Sequence, residues 1–342
     1  MAKKSLINKG KEFMHWKRKT VLVTGAGGFI GSHLTEKLVD LGAKVRAFVR
    51  YNSRNDWGLI QTLPSGTKEK MEVIMGDLRD SETVKSVMQD INVVFHLGAL
   101  IAIPYSYIHP REVVETNIMG TLNILNAAKE YKPEKIIHTS TSEVYGTAQY
   151  VPIDEKHPLQ GQSPYSASKI GADKLAESFY RAYDLPINTL RPFNTYGPRQ
   201  SARAVVPTII TQALAQNKVF LGSLGPTRDL SYVDDIIDGF IKAAESEKSI
   251  GEVINIGSGF EISIKDLADK IISLIGKKIK IISDPERMRP PKSEVERLMA
   301  DNSKAKELLG WKPNVSLDEG LRKTVDWFSK FQNRYRPDIY TI

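Results

Sequence analysis

Along the first half of the chain, short apolar and β-branched runs alternate with longer stretches whose apolar residues recur at helical spacing. Thr20-Val21-Leu22-Val23-Thr24 reads as a strand; it is followed by Gly25-Ala26-Gly27-Gly28-Phe29-Ile30-Gly31 and an amphipathic stretch from Ser32 to Leu41. Further strands are predicted over Lys44 to Val49, Met71 to Met75, Val93 to His96, Lys135 to Thr139 and Ile187 to Arg191. Helices are predicted over Arg111 to Tyr131 and around Tyr165. This alternation indicates an α/β chain built on a doubly wound parallel sheet. Beyond Arg191 proline and glycine punctuate the chain and the pattern becomes irregular. Gly251 to Ile256 is predicted to return one more strand to the sheet, and residues 261–330 read as mostly helical. The expected organisation is a basic disordered tail over 1–19, a dinucleotide-binding unit over 20–190 with about 230–256, a smaller mixed α/β substrate-binding unit over 191–229 with 257–330, and a C-terminal tail over 331–342.

Composition narrows the function classes. Residues 1–19 hold seven lysines and arginines against Glu12 alone, and so carry six of the eight net positive charges. The body is close to neutral, which argues against a nucleic-acid face and makes the tail a solvated extension. No apolar run approaches the roughly eighteen residues of a membrane span. The absence of cysteine excludes disulfides, thiol nucleophiles and thiolate metal sites, and fits a reducing cytoplasm.

Gly25, Gly28 and Gly31 lie between a strand and a helix, where glycines let the backbone approach a pyrophosphate seated on the helix N-terminus. Gly25, Gly28, Phe29, Ile30 and Gly31 are therefore candidate cofactor contacts. The second strand ends on Arg50, with Arg54 close by, and no carboxylate lies between Leu41 and Asn55. A guanidinium suits a ribose 2′-phosphate, so NADP is expected, with NAD the alternative. Asp77 and Leu78 follow the third strand, where a carboxylate would hold the adenine amino group. Leu97 and Ala99 follow the fourth, flanking a glycine that permits close approach. His96 reads as a packed core histidine. Asn117 reads either as a bridge through water to Lys169 or as a plain helix-surface residue.

Tyr165 and Lys169, four residues apart, share one face of a helix. An ammonium about 4 Å from a phenol, at an effective dielectric near 20, favours the phenolate by roughly 4 kcal/mol, or about three pKa units. That would bring a tyrosine from about 10 to near 7, fit to take a proton from a sugar hydroxyl while a nicotinamide takes the hydride. Thr141, Ser142 and Glu143 follow the fifth strand, at the carboxyl edge where such sheets bind ligands, and Glu143 is a candidate general base. Arg199, Arg203, Arg228 and Arg289 are available to a diphosphate.

The set Thr24-Gly25-x-x-Gly28-x-x-Gly31, Asp77, Ser140 to Gly146, Tyr165-x-x-x-Lys169, Arg191-Pro192-x-Asn194-x-Tyr196-Gly197-Pro198 and Leu309-Gly310-Trp311 resembles the extended short-chain dehydrogenase/reductases, Rossmann-type enzymes that act on nucleotide sugars. Within that superfamily the chain is similar to the nucleotide-sugar 4,6-dehydratases. Tyr51 to Gly58 and Pro226 to Leu230 are similar to the branch assigned to legionaminic acid synthesis, which dehydrates GDP-N-acetylglucosamine. The resemblance implies that Tyr165 removes the C4 hydroxyl proton, Lys169 lowers the tyrosine pKa and holds the nicotinamide ribose, Thr141 hydrogen-bonds the C4 oxygen, and Glu143 removes the C5 proton. Water leaves from C6, and a tightly bound cofactor is recycled in place. Asn194, Arg203, Arg228 and Arg289 carry over as contacts of the nucleotide diphosphate. A homodimer is expected, formed through the Tyr165 helix and the Arg111 to Tyr131 helix, with no nucleic-acid, membrane or metal partner.

One departure stands out. The dTDP-glucose dehydratases have Thr-Asp-Glu where this chain has Thr141-Ser142-Glu143, and the serine hydroxyl is too weak an acid to protonate a departing hydroxide unaided. GDP-mannose dehydratases and UDP-glucuronate decarboxylases both carry Thr-Ser-Glu. The alternatives to dehydration are therefore UDP-glucuronate decarboxylation and 4-epimerisation, with a non-catalytic cofactor-binding module as the remote one.

Overall fold

A computed structural model describes residues 15–337. The strands are β1 (Thr20–Thr24), β2 (Lys44–Arg50), β3 (Met71–Gly76), β4 (Val93–His96), β5 (Lys135–Thr139), β6 (Ile187–Pro192), β7 (Asn194–Tyr196), β8 (Lys218–Leu221), β9 (Thr227–Tyr232), β10 (Val253–Ile256), β11 (Glu261–Ser263) and β12 (Lys280–Ser283). The helices are α1 (Phe29–Asp40), α2 (Ser65–Lys68), α3 (Ser81–Met88), α4 (Ile103–Ile108), α5 (Pro110–Val114), α6 (Gly120–Tyr131), α7 (Pro164–Tyr183), α8 (Val205–Ala215), α9 (Val233–Glu245), α10 (Ile264–Ile275), α11 (Ser303–Leu309) and α12 (Leu317–Lys330).

Seven strands form one parallel sheet in the order β10-β6-β5-β4-β1-β2-β3. Successive strand residues point to opposite faces, and both faces are covered. Val21, Val23, Val93 and Phe95 join α1 and α9 on one side. Leu22, Val94 and Ile136 join α3, α6 and α7 on the other. The strand order reverses between β1 and β4, so their carboxyl ends diverge and open a crevice. The predicted returning strand is β10, paired with β6. Two small sheets, β11-β9-β7 and β12-β8, complete the fold.

Four expectations change. Residues 1–14 of the expected basic tail lie outside the described residues, but Trp16 is not a tail residue. Its ring is buried and stacked 6.2 Å from Phe95, and its Nε1 donates to Glu245 at 2.8 Å. At the other end, Tyr335 packs on Phe328 at 4.7 Å and donates its hydroxyl to the Gln200 carbonyl at 3.2 Å, so the packed chain runs beyond Phe331. The expected helix over Arg111 to Tyr131 is α5 and α6 joined by one π-helical turn, Glu115–Met119. Residues 261–330 are less helical than the pattern suggested. The left-handed Gly276 ends α10, and Pro285, Pro290 and Pro291 keep the chain after β12 in short turns.

Candidate active site

The carboxyl ends of the sheet strands and the two small sheets enclose a cleft of about 860 Å³. At its β1 end the chain turns through Gly25, with φ +70°, where a Cβ would lie 2.8 Å from the Gly98 Cα. A Cβ on Gly31 would lie 2.1 Å from the Gly25 carbonyl oxygen, so the turn is seated directly on α1. Gly28 caps that helix without any side chain, leaving the first-turn N–H groups to face the cleft. Gly25, Gly28, Phe29, Ile30 and Gly31 all line it, as do Leu97 and Ala99 across the crevice. This cradle fits a dinucleotide pyrophosphate: bare backbone donors, a helix dipole and no Cβ in the way.

His96 is a core residue, bonded to Thr24 Oγ1 at 2.8 Å and Thr121 Oγ1 at 3.0 Å. Asn117 is buried, which excludes the surface reading. The π turn aims its amide at the Leu100 backbone, accepting from N–H at 2.7 Å and donating to C=O at 2.9 Å, and it also donates to Ser168 Oγ at 2.9 Å. It thereby ties the exit of β4 to α7.

Arg50 lines the cleft, but its guanidinium is paired at 3.0 Å with Glu112 of α5. Glu112 is a carboxylate that only the fold brings to this edge. Arg54, Asp77 and Leu78 do not line the cleft. The Asp77 carboxylate is gripped by Arg79, at 2.6 Å, which holds its pKa below the usual range. Leu78 packs from behind against Gly98 and Gly120.

Thr141, Ser142, Glu143 and Tyr165 line one wall. Thr141 caps the short turn that carries Glu143, its Oγ1 accepting from the Glu143 N–H at 3.3 Å. Tyr165 lies in the first turn of α7, which opens with a capping box between Ser163 and Ser166 and Pro164 behind the cap. The expected contact between Lys169 and the phenol is not made. Lys169 Nζ donates instead to the Thr139 carbonyl at 2.7 Å, because that carbonyl ends β5 on the same face of α7. Burial raises the Tyr165 pKa above the usual tyrosine value, against a hydrogen bond from Thr141. Burial lowers Lys169 to about 8, against the attraction of Asp173.

Asn194, Arg203, Arg228 and Arg289 also line the cleft. Asn194 Nδ2 is buried without a hydrogen-bond partner. Arg228 pairs with Glu294 at 3.2 Å, and Arg289 lies 3.8 Å from both Glu143 and Glu294. Arg199 is not available to a ligand: it bonds His33 at 2.7 Å and Glu36 at 2.6 Å, pinning the loop after β7 to α1. The sequence reading passed over Glu294 and Asp173; Asp173 sits four residues after Lys169 on the same helix face, a spacing that could have flagged it.

The family model described as GDP-mannose 4,6 dehydratase matches residues 22–324. A putative UDP-glucose 4-epimerase of Methanocaldococcus jannaschii is 34% identical over 324 residues, covering 92% of this chain and 99% of that one. A UDP-N-acetyl-alpha-D-glucosaminuronate decarboxylase of Bacillus cytotoxicus is 34% identical over 330 residues, covering 92% and 99%. The crystal structure of a dTDP-glucose 4,6-dehydratase from Streptomyces venezuelae, with NAD bound, superposes with a TM-score of 0.82 at 27% identity, covering 93% of this chain and 99% of that one.

Proposed function

This chain belongs to the GDP-mannose 4,6-dehydratase family of extended short-chain dehydrogenase/reductases, enzymes that modify nucleotide sugars, and on that premise we propose that it is a nucleotide-sugar 4,6-dehydratase. The observation that carries the reading is Glu143, a carboxylate on the same cleft wall as Tyr165 and two residues beyond Thr141. A 4-epimerase needs one acid–base group at C4; a base at C5 is needed only if that proton leaves.

Tyr165 takes the C4 hydroxyl proton while Thr141 holds the C4 oxygen. A nicotinamide held on the glycine cradle would supply the hydride acceptor at C4, a positive charge that favours the phenolate, and the hydride donor at C6. Lys169, at about 8, keeps its proton at neutral pH and, anchored on the Thr139 carbonyl, would hold the nicotinamide ribose. The C4 ketone acidifies C5, Glu143 removes that proton, and hydroxide leaves C6. Ser142 cannot supply the acid, so Glu143 carries the C5 proton to the leaving oxygen. Asn194, Arg203, Arg228 and Arg289 hold the diphosphate.

The substrate proposed is GDP-N-acetylglucosamine, supported by the similarity of Tyr51 to Gly58 and Pro226 to Leu230 to the legionaminic acid branch. NADP is proposed over NAD because Arg50 lines the cleft and spends one of its five donors on Glu112. A cytoplasmic homodimer is proposed; exposed Val114 and Met119 on the helices named for the contact support it, and a monomer in sedimentation would overturn it. Decarboxylation of a UDP-uronate is the second reading, favoured by Arg289 at 3.8 Å from Glu143, where a guanidinium would hold a C6 carboxylate.

Mass spectrometry after incubation with GDP-N-acetylglucosamine in heavy water separates these. Loss of one water with one deuterium gained at C5 supports the dehydratase. No conversion there, with loss of carbon dioxide from UDP-glucuronate, would replace it by the second reading.

A further inference from the structure

Beneath the cleft, β5, β6 and α7 meet around one buried carboxylate. Asp173 does not line the cleft. Its Oδ1 accepts from His138 Nε2 at 3.1 Å, and its Oδ2 accepts from Ser140 Oγ at 2.7 Å and from Arg191 Nη2 at 3.0 Å. Arg191 also donates to the Tyr145 hydroxyl at 2.9 Å, which donates to Asn255 at 2.7 Å. Burying a carboxylate costs several kcal/mol of desolvation. Burial would raise the Asp173 pKa, but the His138 hydrogen bond and the positive charges of Arg191 and Lys169 hold it at about 2.

Asp173 lies one helical turn after Lys169 on the same face of α7, and its charge attracts the ammonium. The buried Lys169 ammonium donates to the Thr139 carbonyl, a neutral partner. His138 from β5 and His96 from β4 feel its charge. Burial keeps both histidines neutral. Glu143 acts on Tyr165 from the cleft side. Asp173 is therefore the buried carboxylate whose charge acts on Lys169, and its other partners fix it in place.

We propose that Asp173 is a positioning residue: its carboxylate is the counter-ion that holds a cationic Lys169 against the Thr139 carbonyl beneath Tyr165. The inference rests on Tyr165 and Lys169 forming the pair that oxidises C4, a step shared by dehydration, epimerisation and decarboxylation. Its test needs no substrate, so it stands or falls apart from the choice among those reactions.

The test uses the full chain with lysines labelled by carbon-13 at Cε, the Lys169 resonance being assigned by its loss in Lys169→Arg. Its chemical shift followed against pH gives the Lys169 midpoint, about 8 in the wild type. Asp173→Asn keeps the side-chain shape and removes the charge, and the midpoint should fall by about one pH unit or more. Arg191→Gln removes the guanidinium that shares Asp173, and the midpoint should rise. A purely structural pin between β5, β6 and α7 would not displace the midpoint in opposite directions. An unmoved midpoint in Asp173→Asn, or a shift of the same sign in both variants, overturns the proposal. Should Asp173→Asn fail to fold, Arg191→Gln decides alone: a rise supports the proposal and its absence overturns it.

Discussion

Replacing Glu143 by Gln keeps the length and shape of the side chain while removing its basicity and its charge. Both kcat and KM should fall, for different reasons. Four ionised groups form a line in the cleft: Arg228 is 3.2 Å from Glu294, Glu294 3.8 Å from Arg289, and Arg289 3.8 Å from Glu143. Two cations face two carboxylates, so the line is neutral. At 3.8 Å and an effective dielectric near 20, Glu143 attracts Arg289 by about 4 kcal/mol, an upper figure because both side chains keep some contact with water. Removing that charge leaves the line with one net positive charge, and a diphosphate should bind more tightly. Loss of the base at C5 should lower kcat by ~10²–10⁴, or roughly 3–5 kcal/mol of barrier. Steady-state kinetics on GDP-N-acetylglucosamine should therefore show kcat falling while KM also falls, and the recovered substrate should carry no deuterium at C5 from heavy water. A kcat within about tenfold of wild type, or a KM that rises at unchanged kcat, would refute the assignment of Glu143 as the base.

Tyr165→Phe removes the proton acceptor at C4, and turnover should drop by more than about tenfold with the melting temperature little changed; activity closer to wild type would sink the central assignment. Arg50→Asp should weaken NADP binding more than NAD binding in a fluorescence titration, and equal effects would dispose of the 2′-phosphate argument. His33, held between Arg199 and the Pro198 carbonyl, is lowered to about 3 by burial and by the Arg199 charge. The unfolded chain then binds more protons than the folded one between that value and the ordinary 6.5. This contribution to stability is complete above the ordinary value and is lost as pH falls through the window. His33→Gln should accordingly lose less stability than wild type between about pH 7 and about pH 5 in urea melts, and parallel losses would contradict the sign.

The parallel sheet was legible because β1, β4, β5 and β6 are short β-branched runs buried on both faces, and the glycine turn lies directly between a strand and a helix. Local patterning also placed Thr141, Ser142, Glu143 and Tyr165 at the carboxyl edge, and the structure brings them to one wall of the cleft. What sequence spacing could not show was where long side chains end. The spacing of Tyr165 and Lys169 is helical, yet the lysine tip reaches Thr139, because a buried ammonium takes the nearest carbonyl. Glu112 meets Arg50 from 62 positions away, and Arg199 is taken by His33 and Glu36 from more than 160. Such partnerships exist only after the sheet has formed. Trp16 was hidden by its company, an aromatic followed directly by Lys17, Arg18 and Lys19, whose core contacts come from Phe95 and α9.

The chain passes repeatedly between the large sheet and the two small ones. It leaves after β6 to build β7, β8 and β9, returns through α9 and β10, and leaves again at β11. The part that would select the sugar is therefore not a cassette. No single cut of the polypeptide releases it whole, and no single crossover between genes exchanges it for that of a relative. Recombination would sever β10 from β6 or leave each small sheet short of a strand, so a new substrate has to be acquired residue by residue on a framework that stays intact.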